Sequence, residues 1–370
     1  KKTNITAAPG LVSAALGWEK VESYDVGLDW GAFNNRLTGS FDYYVRNTKD
    51  MVGPAPELPA LLGTDVPKTN NTDLRTTGWE LQIGWRDHLE NGLNYGVTFN
   101  VSDAQAKVTR YPNNPTGSLS SYVENRKVGE IWGYETIGIA KTNDEMNQHL
   151  ATLPNGGQSQ LGDKWAAGDI MYKDLDGDGK ISNGSNTLAD HGDLKVIGNK
   201  TPRYLFGLDL TASWKGFDFR AFMQGVMKRD YSDAKEFLFG TTDSGVWWAA
   251  GITGVQDYFR DSETWSVKNG YESENLNAYL PRPQYSGKNI HTQTRYLLNA
   301  AYLRMKNLQI GYTLPQSLVW AMSASSFQQK ICSLSPIFQV SSTQRPSIPI
   351  MVMVILSLAL SLSVLTLHYN

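Results

Sequence analysis

The stretch YDVGLDWGAFNNRLTGSFDYYV, residues 24–45, decides the fold. Tyr24, Val26, Leu28 and Trp30 alternate with Asp25, Gly27 and Asp29. After a tight FNN turn, Leu37, Phe41, Tyr43 and Val45 alternate with Thr38, Ser40, Asp42 and Tyr44. A period of two sends alternate side chains to opposite faces of a strand, so the stretch reads as a hairpin with one apolar and one polar face. The rhythm recurs in Trp79, Leu81, Ile83 and Trp85, and again in Leu93, Tyr95, Val97, Phe99 and Val101. Tyr204, Phe206, Leu208, Leu210 and Trp214 lead through a KG turn to Phe217, Phe219, Ala221 and Met223. Leu308, Ile310, Tyr312 and Leu314 form a last strand. Leu303 and Met305 lie on the opposite parity, which predicts a β-bulge near Lys306 and Asn307.

The connections are as regular as the strands. Short turns at about 32–35, 87–92 and 215–216 take turns with long excursions at about 49–74, 109–201 and 229–299. A transmembrane β-barrel has this asymmetry, with short turns on one side of the membrane and long loops on the other. Strands of ten or more residues with Trp and Tyr near their ends suit a tilted crossing between aromatic girdles. The competing fold is a soluble all-β protein whose apolar face is core. Net charge is −2 over 370 residues, so nothing draws the chain electrostatically to nucleic acid. The single cysteine, Cys332, excludes an internal disulfide framework. KKTNITAAPGLVSAALGWEK carries no signal-peptide pattern, and its abrupt start reads as that of a fragment.

Four ordered segments resemble one family. FNNRLTGSFDYY, GDIMYKDLDGDGKISN, VIGNKTPRYLFGLDLTASWKGFDFRAFMQGV and AAYLRMKNLQIGYTLP are similar to the SusC/RagA-type TonB-dependent outer-membrane transporters. The resemblance covers most of residues 17–319 and implies the C-terminal part of a large antiparallel transmembrane β-barrel, without its plug domain or its TonB-contacting motif. It also implies multi-pass residence in the bacterial outer membrane and import of a bulky nutrient, an oligosaccharide or less often a peptide. The implied partners are a SusD-like surface lipoprotein, the TonB complex acting through the missing N-terminal region, and outer-membrane lipid. The reading from another class is a secreted or surface all-β binding module, an adhesin, with a calcium-stiffened loop.

That loop is DLDGDGKISNGS, Asp174 to Ser185. Asp174, Asp176 and Asp178 stand at positions 1, 3 and 5 of an EF-hand-like loop, with Gly179 at 6, Lys180 at 7 and Ser182 at 9. Ca²⁺ takes six to eight oxygen ligands, and carboxylates at a spacing of two converge on one ion where glycine permits the turn. Ile181 at position 8 would anchor the loop to a core. Position 12 departs from the pattern: Ser185 replaces the bidentate Glu, leaving Asp190 or Asp193 to swing in. Without an ion, the same residues read as an Asp/Gly turn capping its own amides.

Catalysis has no constellation to rest on. His88, His149, His191, His291 and His368 show no metal-ligand spacing, and no nucleophile elbow, P-loop or dinucleotide fingerprint is present. Asp257 and Asp261 read as a solvated pair. The long loops carry Trp132, Tyr134, Trp165, Tyr258, Phe259 and Trp265, rings that either stack on sugars or pack the loops together. Trp247 and Trp248 in VWWAAG are the expected ligand contacts. Asp25, Asp29, Asp42, Glu80 and Arg220 line the lumen if the barrel is right.

The tail, residues 320–370, loses the alternation. IMVMVILSLALSLSVLTL scores as a membrane helix: 18 uncharged residues, Ile350 to Leu367, span roughly 27 Å. The family continues instead with two more strands. Reading the third base of each codon with the first two of the next, QQKICSLSPIFQVSSTQRP from Gln328 permits AENLLSFTNISSIFDPEA, a family-like sequence. A one-base frameshift between Val319 and Phe327 therefore accounts for the tail, which is expected to hold no native fold.

Overall fold

The computed structural model describes residues 13, 16–54, 67–232, 257–284 and 286–313, with the backbone alone of 333–334 and 339–340. The chain forms strands β1 (Lys20–Ala32), β2 (Leu37–Gly53), β3 (Thr69–His88) and β4 (Asn94–Arg110). A first long excursion then carries β5 (Glu130–Gly133), β6 (Thr136–Ile139), α1 (Asn143–Ala151), β7 (Ile170–Tyr172) and β8 (Lys195–Asn199). Strands β9 (Arg203–Trp214) and β10 (Phe217–Lys228) return to the sheet. A second excursion holds β11 (Asp230–Tyr231), the helical turn α2 (Trp265–Lys268) and β12 (Leu298–Asn299), before β13 (Tyr302–Tyr312). The main sheet is antiparallel, in the order β1-β2-β3-β4-β9-β10-β13. Two-residue strands β14 (Ser333–Leu334) and β15 (Gln339–Val340) pair with β13. The rest of residues 320–370, the apolar run included, lies outside the described residues. Among the described residues no helix is long and apolar enough to cross a membrane, which says nothing of strands.

The register turns the sequence alternation into two faces. One row runs Leu28, Phe41, Leu81, Val101 and Phe206 across five strands, and a second runs Gly39, Ile83, Phe99, Leu208 and Met223. Trp30, Tyr43, Trp85 and Phe219 fall on this same face. The intervening row, Asp29, Ser40, Gln82 and Asn100, is polar. Much of the apolar face is open: Val26 is 73% exposed, Leu28 64% and Ile310 52%, whereas Val101 and Ala221 on the same face are buried. The hydrophobic clusters among the described residues lie in the two excursions instead of under the sheet. An antiparallel sheet in water puts its apolar face on a core; this one does not.

The short turns have the chemistry they require. Lys215 and Gly216 both have positive φ, 47° and 86°, the pair that a two-residue turn needs to match strand twist. Between β1 and β2, Phe33, Asn34 and Asn35 all lie at φ between 54° and 61°. The Phe33 ring packs 6.1 Å from that of Trp85. The bulge falls where it is expected: Phe222 pairs with Asn307 but Met223 pairs with Met305, so Lys306 is the extra residue. The connection after β2 is shorter than the sequence indicates, because pairing continues past Thr48 through a register shift to Gly53 and resumes at Thr69. Its connecting residues are therefore 54–68.

Gly39 is a place where only glycine fits. A β-carbon there would lie 2.1 Å from Trp30 Cζ2, because the indole lies across the neighbouring strand. Gly39→Val is expected to push Trp30 out of its rotamer and destabilise the sheet by about 1–3 kcal/mol. A lower temperature for loss of the compact form on detergent electrophoresis checks this.

Candidate functional site

The two long excursions fold onto one another. Tyr134 donates its amide to the Thr292 carbonyl at 2.9 Å, and the Thr294 amide returns to the Tyr134 carbonyl at 3.0 Å. Tyr134, Leu153, Ile170, Tyr172 and Ile181 from the first excursion share a core with Tyr279, Leu280, Ile290 and Tyr296 from the second. The Tyr172 hydroxyl donates to the Lys288 carbonyl at 2.9 Å.

At the centre sits Asp169, fully buried. Arg282 donates to both its oxygens at 2.9 Å, Lys288 at 2.8 Å, Gln284 at 2.8 Å, Asn289 at 3.0 Å and the Ala166 amide at 2.9 Å. Burial alone would raise its carboxyl; the bonds from Arg282, Lys288 and Asn289 outweigh burial and hold it below the usual range. Lys288 is pushed down by its own burial, which the Asp169 carboxylate offsets only in part. Asp169 precedes the acidic loop by five residues, but its side-chain partners are 113–120 residues further on. No local pattern reveals them.

The acidic loop is folded by its own side chains. Asp174 accepts from the Gly177 amide at 2.6 Å and the Gly179 amide at 2.9 Å, while Asp176 accepts from the Asp178 amide at 3.1 Å. Gly179 has φ +78°, the sharp turn expected at position 6. Ile181 is fully buried in the loop core, anchoring the loop as expected. Asp174 and Asp176 converge with Asp193, one ligand atom from each lying within 4.8 Å of the others. Asp178 turns instead to the Lys180 ammonium, 3.1 Å away. The Ser182 hydroxyl accepts from the Gly184 amide, and the Ser182 amide donates to Asp193. Asp190 is committed to the amide and hydroxyl of Ser185.

Asp193 therefore reaches the place that Ser185 leaves empty of a carboxylate. It is fully buried and accepts from the Leu175 amide at 2.6 Å and the Ser182 amide at 2.8 Å. Burial first, and the negative charges of Asp176 and Asp174 after it, raise its carboxyl above the usual range. Three hard oxygen donors with unbalanced negative charge suit a divalent cation such as Ca²⁺.

The loop aromatics divide. Tyr134 and Phe259 are buried in the loop cores, and Trp165 sits beside the Lys288 ammonium, 4.9 Å from its ring. Trp265 is 70% exposed and stacks on Tyr271 with centroids 5.4 Å apart. Asp257 accepts from Asn275 and the Tyr279 amide, and Asp261 from Thr264, so both serve turns. Trp247 and Trp248 lie outside the described residues.

No family model matches the chain. It is 28% identical over 316 residues to "TonB-dependent receptor P3" of Formosa agariphila, an alignment covering 82% of this chain and 28% of that protein. It is 24% identical over 324 residues to "TonB-dependent receptor SusC" of Bacteroides thetaiotaomicron, covering 83% of this chain and 27% of that protein. The chain thus spans little more than a quarter of the length of the curated relatives it matches. Among solved structures, one titled "Structure of the RagAB peptide transporter" superposes with a TM-score of 0.58 and 23% identity, over 89% of this chain and 32% of that one. A second, of the RagAB peptide importer in its open-open state, gives a TM-score of 0.56 at 22% identity over the same shares. Both are likenesses of fold.

Proposed function

Because the chain is a relative of the SusC/RagA-type TonB-dependent receptors, we propose that it forms the C-terminal portion of an outer-membrane β-barrel importing a bulky nutrient. The observation that carries this reading is the sheet with two exposed faces, one apolar and one polar, and no core beneath either among the described residues. In a barrel the apolar rows meet lipid and the polar rows meet water or a plug. Asp25, Asp29, Asp42 and Glu80 then line the interior. Asp42 stands directly across from Glu80, a like-charge pair that is unfavourable unless solvated or countered.

An oligosaccharide is the favoured nutrient, supported by exposed rings at the loop end, where Trp265 and Tyr271 offer a stacked pair. A peptide is the other class, the cargo of the RagAB transporter. A SusD-like lipoprotein would lie over the loop end as a lid, and TonB would act on a part of the protein beyond this chain. On this reading the protein is a carrier and does no chemistry on its cargo. Detergent electrophoresis of the full-length protein tests the barrel: the unheated sample is expected to migrate faster than the heated one. A compact monomer recovered without detergent would contradict it.

The reading includes Ca²⁺ held by Asp174, Asp176 and Asp193, stiffening the loop against the core through Ile181. EDTA is expected to increase proteolysis within residues 173–195 and Ca²⁺ to reverse it. In Asp174→Asn neither addition changes the cleavage rate. An unmodified protein indifferent to both would mean that the loop holds no ion.

A further inference from the structure

We propose that Arg75, Lys107 and Lys127 form a row on the outside of the barrel wall that binds the phosphate of lipid headgroups, which rests on the barrel reading above. The register brings the three together. Arg75 in β3 stands directly across from Lys107 in β4, and Lys107 directly across from Lys127 in the segment that follows β4. Backbone bonds hold that segment against the strand. The Val108 amide donates to the Arg126 carbonyl at 3.0 Å and the Val128 amide to the Ala106 carbonyl at 2.9 Å. Residues directly opposite one another in a sheet share a face, so three cations from three adjacent segments project side by side.

That face is the apolar one. Residues two apart on a strand point the same way, which joins Arg75 to Trp79 and Leu81, and Lys107 to Phe99 and Val101. Successive rows toward the loop end run from Phe41, Leu81 and Val101, through the rings of Tyr43 and Trp79, to Asn47, Arg75 and Lys107. The cations stand four residues beyond the rings, about 13 Å along the strand. At a tilt of about 45° this is about 9 Å along the membrane normal. Apolar rows, then rings, then cations is the order met in passing from hydrocarbon through the interface to the headgroups.

The charge of the row has no answer within the protein. Like charges directly opposite one another in a sheet are destabilising. All three residues are exposed. Arg75 donates through Nε to Asn47 at 2.8 Å, which leaves its two terminal amino groups uncommitted. Among the described residues, neither the Lys107 nor the Lys127 ammonium has an ion pair or a hydrogen bond. Other cations near this end of the sheet are matched: Lys49 meets Glu22 at 2.8 Å, Arg110 meets Asp73 at 2.8 Å, and Arg203 meets Asp103. A phosphate accepts from a guanidinium fork and an ammonium together, and cations beside a membrane surface draw anionic lipid. A lid over the mouth would not face this wall; lipid would.

Fluorescence anisotropy on the full-length protein in a nonionic detergent tests this with two labelled lipids. One is phosphatidic acid; the other is phosphatidylcholine, whose choline balances its phosphate. Phosphatidic acid is expected to bind about tenfold or more tightly at low salt, with the preference shrinking as salt is raised. The triple change Arg75→Gln, Lys107→Gln and Lys127→Gln should remove most of that preference. Arg46→Gln should leave it unchanged, because Arg46, though exposed and at similar depth, pairs with Thr76 on the opposite face. Excess inorganic phosphate should not displace the lipid. Equal binding of both lipids, a preference indifferent to the triple change or lost equally in Arg46→Gln, or displacement by inorganic phosphate, which would mark a site for soluble anions, overturns the proposal. The same samples report on the barrel. Loss of heat-modifiable migration in the unmodified protein counts against the barrel reading, whereas migration kept without lipid preference counts against the row alone.

Discussion

Asp169→Ala is expected to open the loop body while leaving the sheet in place. The substitution removes the counter-charge of Lys288, which is 2% exposed, and the bidentate partner of Arg282. A buried charge stripped of its partner typically costs about 3–5 kcal/mol. Asp169→Asn keeps an acceptor but loses the charge, and should fall between the two. Hydrogen exchange of the amides of Tyr172, Ile181 and Leu280 should accelerate in the alanine variant, while those of Leu81 and Val101 in the sheet stay protected. Uniform protection throughout would mean that the two excursions do not depend on this hub. The linkage to pH has a definite sign. The Asp169 pKa is depressed in the folded state, so its contribution is full above the unfolded carboxylate value, near 3.9, and is lost as pH falls through the lower folded value.

Ile83→Arg should have the second large effect, this time in the sheet and not in the loop body. Ile83 is 38% exposed on the apolar face, in register with Gly39 on one side and Phe99 on the other. A cation on the lipid side of a barrel strand destabilises by about 2–4 kcal/mol at the midplane. Gln82, one residue away, belongs to the polar row with Ser40 and Asn100. Gln82→Arg is expected to change stability by no more than about 0.5 kcal/mol, the usual range for a solvated surface position. The pair is matched in charge, size and depth, so the difference isolates the face. The folded fraction in outer membranes, read from unheated electrophoresis, should fall for Ile83→Arg alone. Equal behaviour of both variants would mean that the two faces meet the same solvent.

The strands were legible because each carries its own evidence. Alternation in residues 24–45 needs no distant partner to be read, and the Lys215–Gly216 turn announces itself by residue type. Even the bulge at Lys306 follows from a parity break visible in one strand. The ends of β2 and β3 were not legible. Residues 46–53 and 69–75 are rich in Asn, Thr, Asp and Lys, so the apolar signal fades although backbone pairing continues to Gly53 and from Thr69.

The candidate site divides in the same way. Spacing alone brought out Asp174, Asp176, Gly179 and the anchoring Ile181. It could not choose between Asp190 and Asp193, because that choice depends on how the chain turns through Ser182 to Gly192. Asp190 is captured by Ser185, and Asp193 is left to converge on the other two carboxylates. Asp169 was invisible for a stronger reason: its role is made by Arg282, Lys288 and Asn289, which only tertiary folding brings near.

In a barrel the apolar face of the sheet meets lipid. Nitroxide labels on single cysteines at positions 80 to 85 of β3, in a cysteine-free background of the full-length protein in bilayers, test it most directly. Accessibility to oxygen, which concentrates in lipid, should peak at 81, 83 and 85. Accessibility to a water-soluble nickel chelate should be higher at 80, 82 and 84. Labels at 81, 83 and 85 shielded from both reagents would place those side chains in a protein core and contradict the barrel.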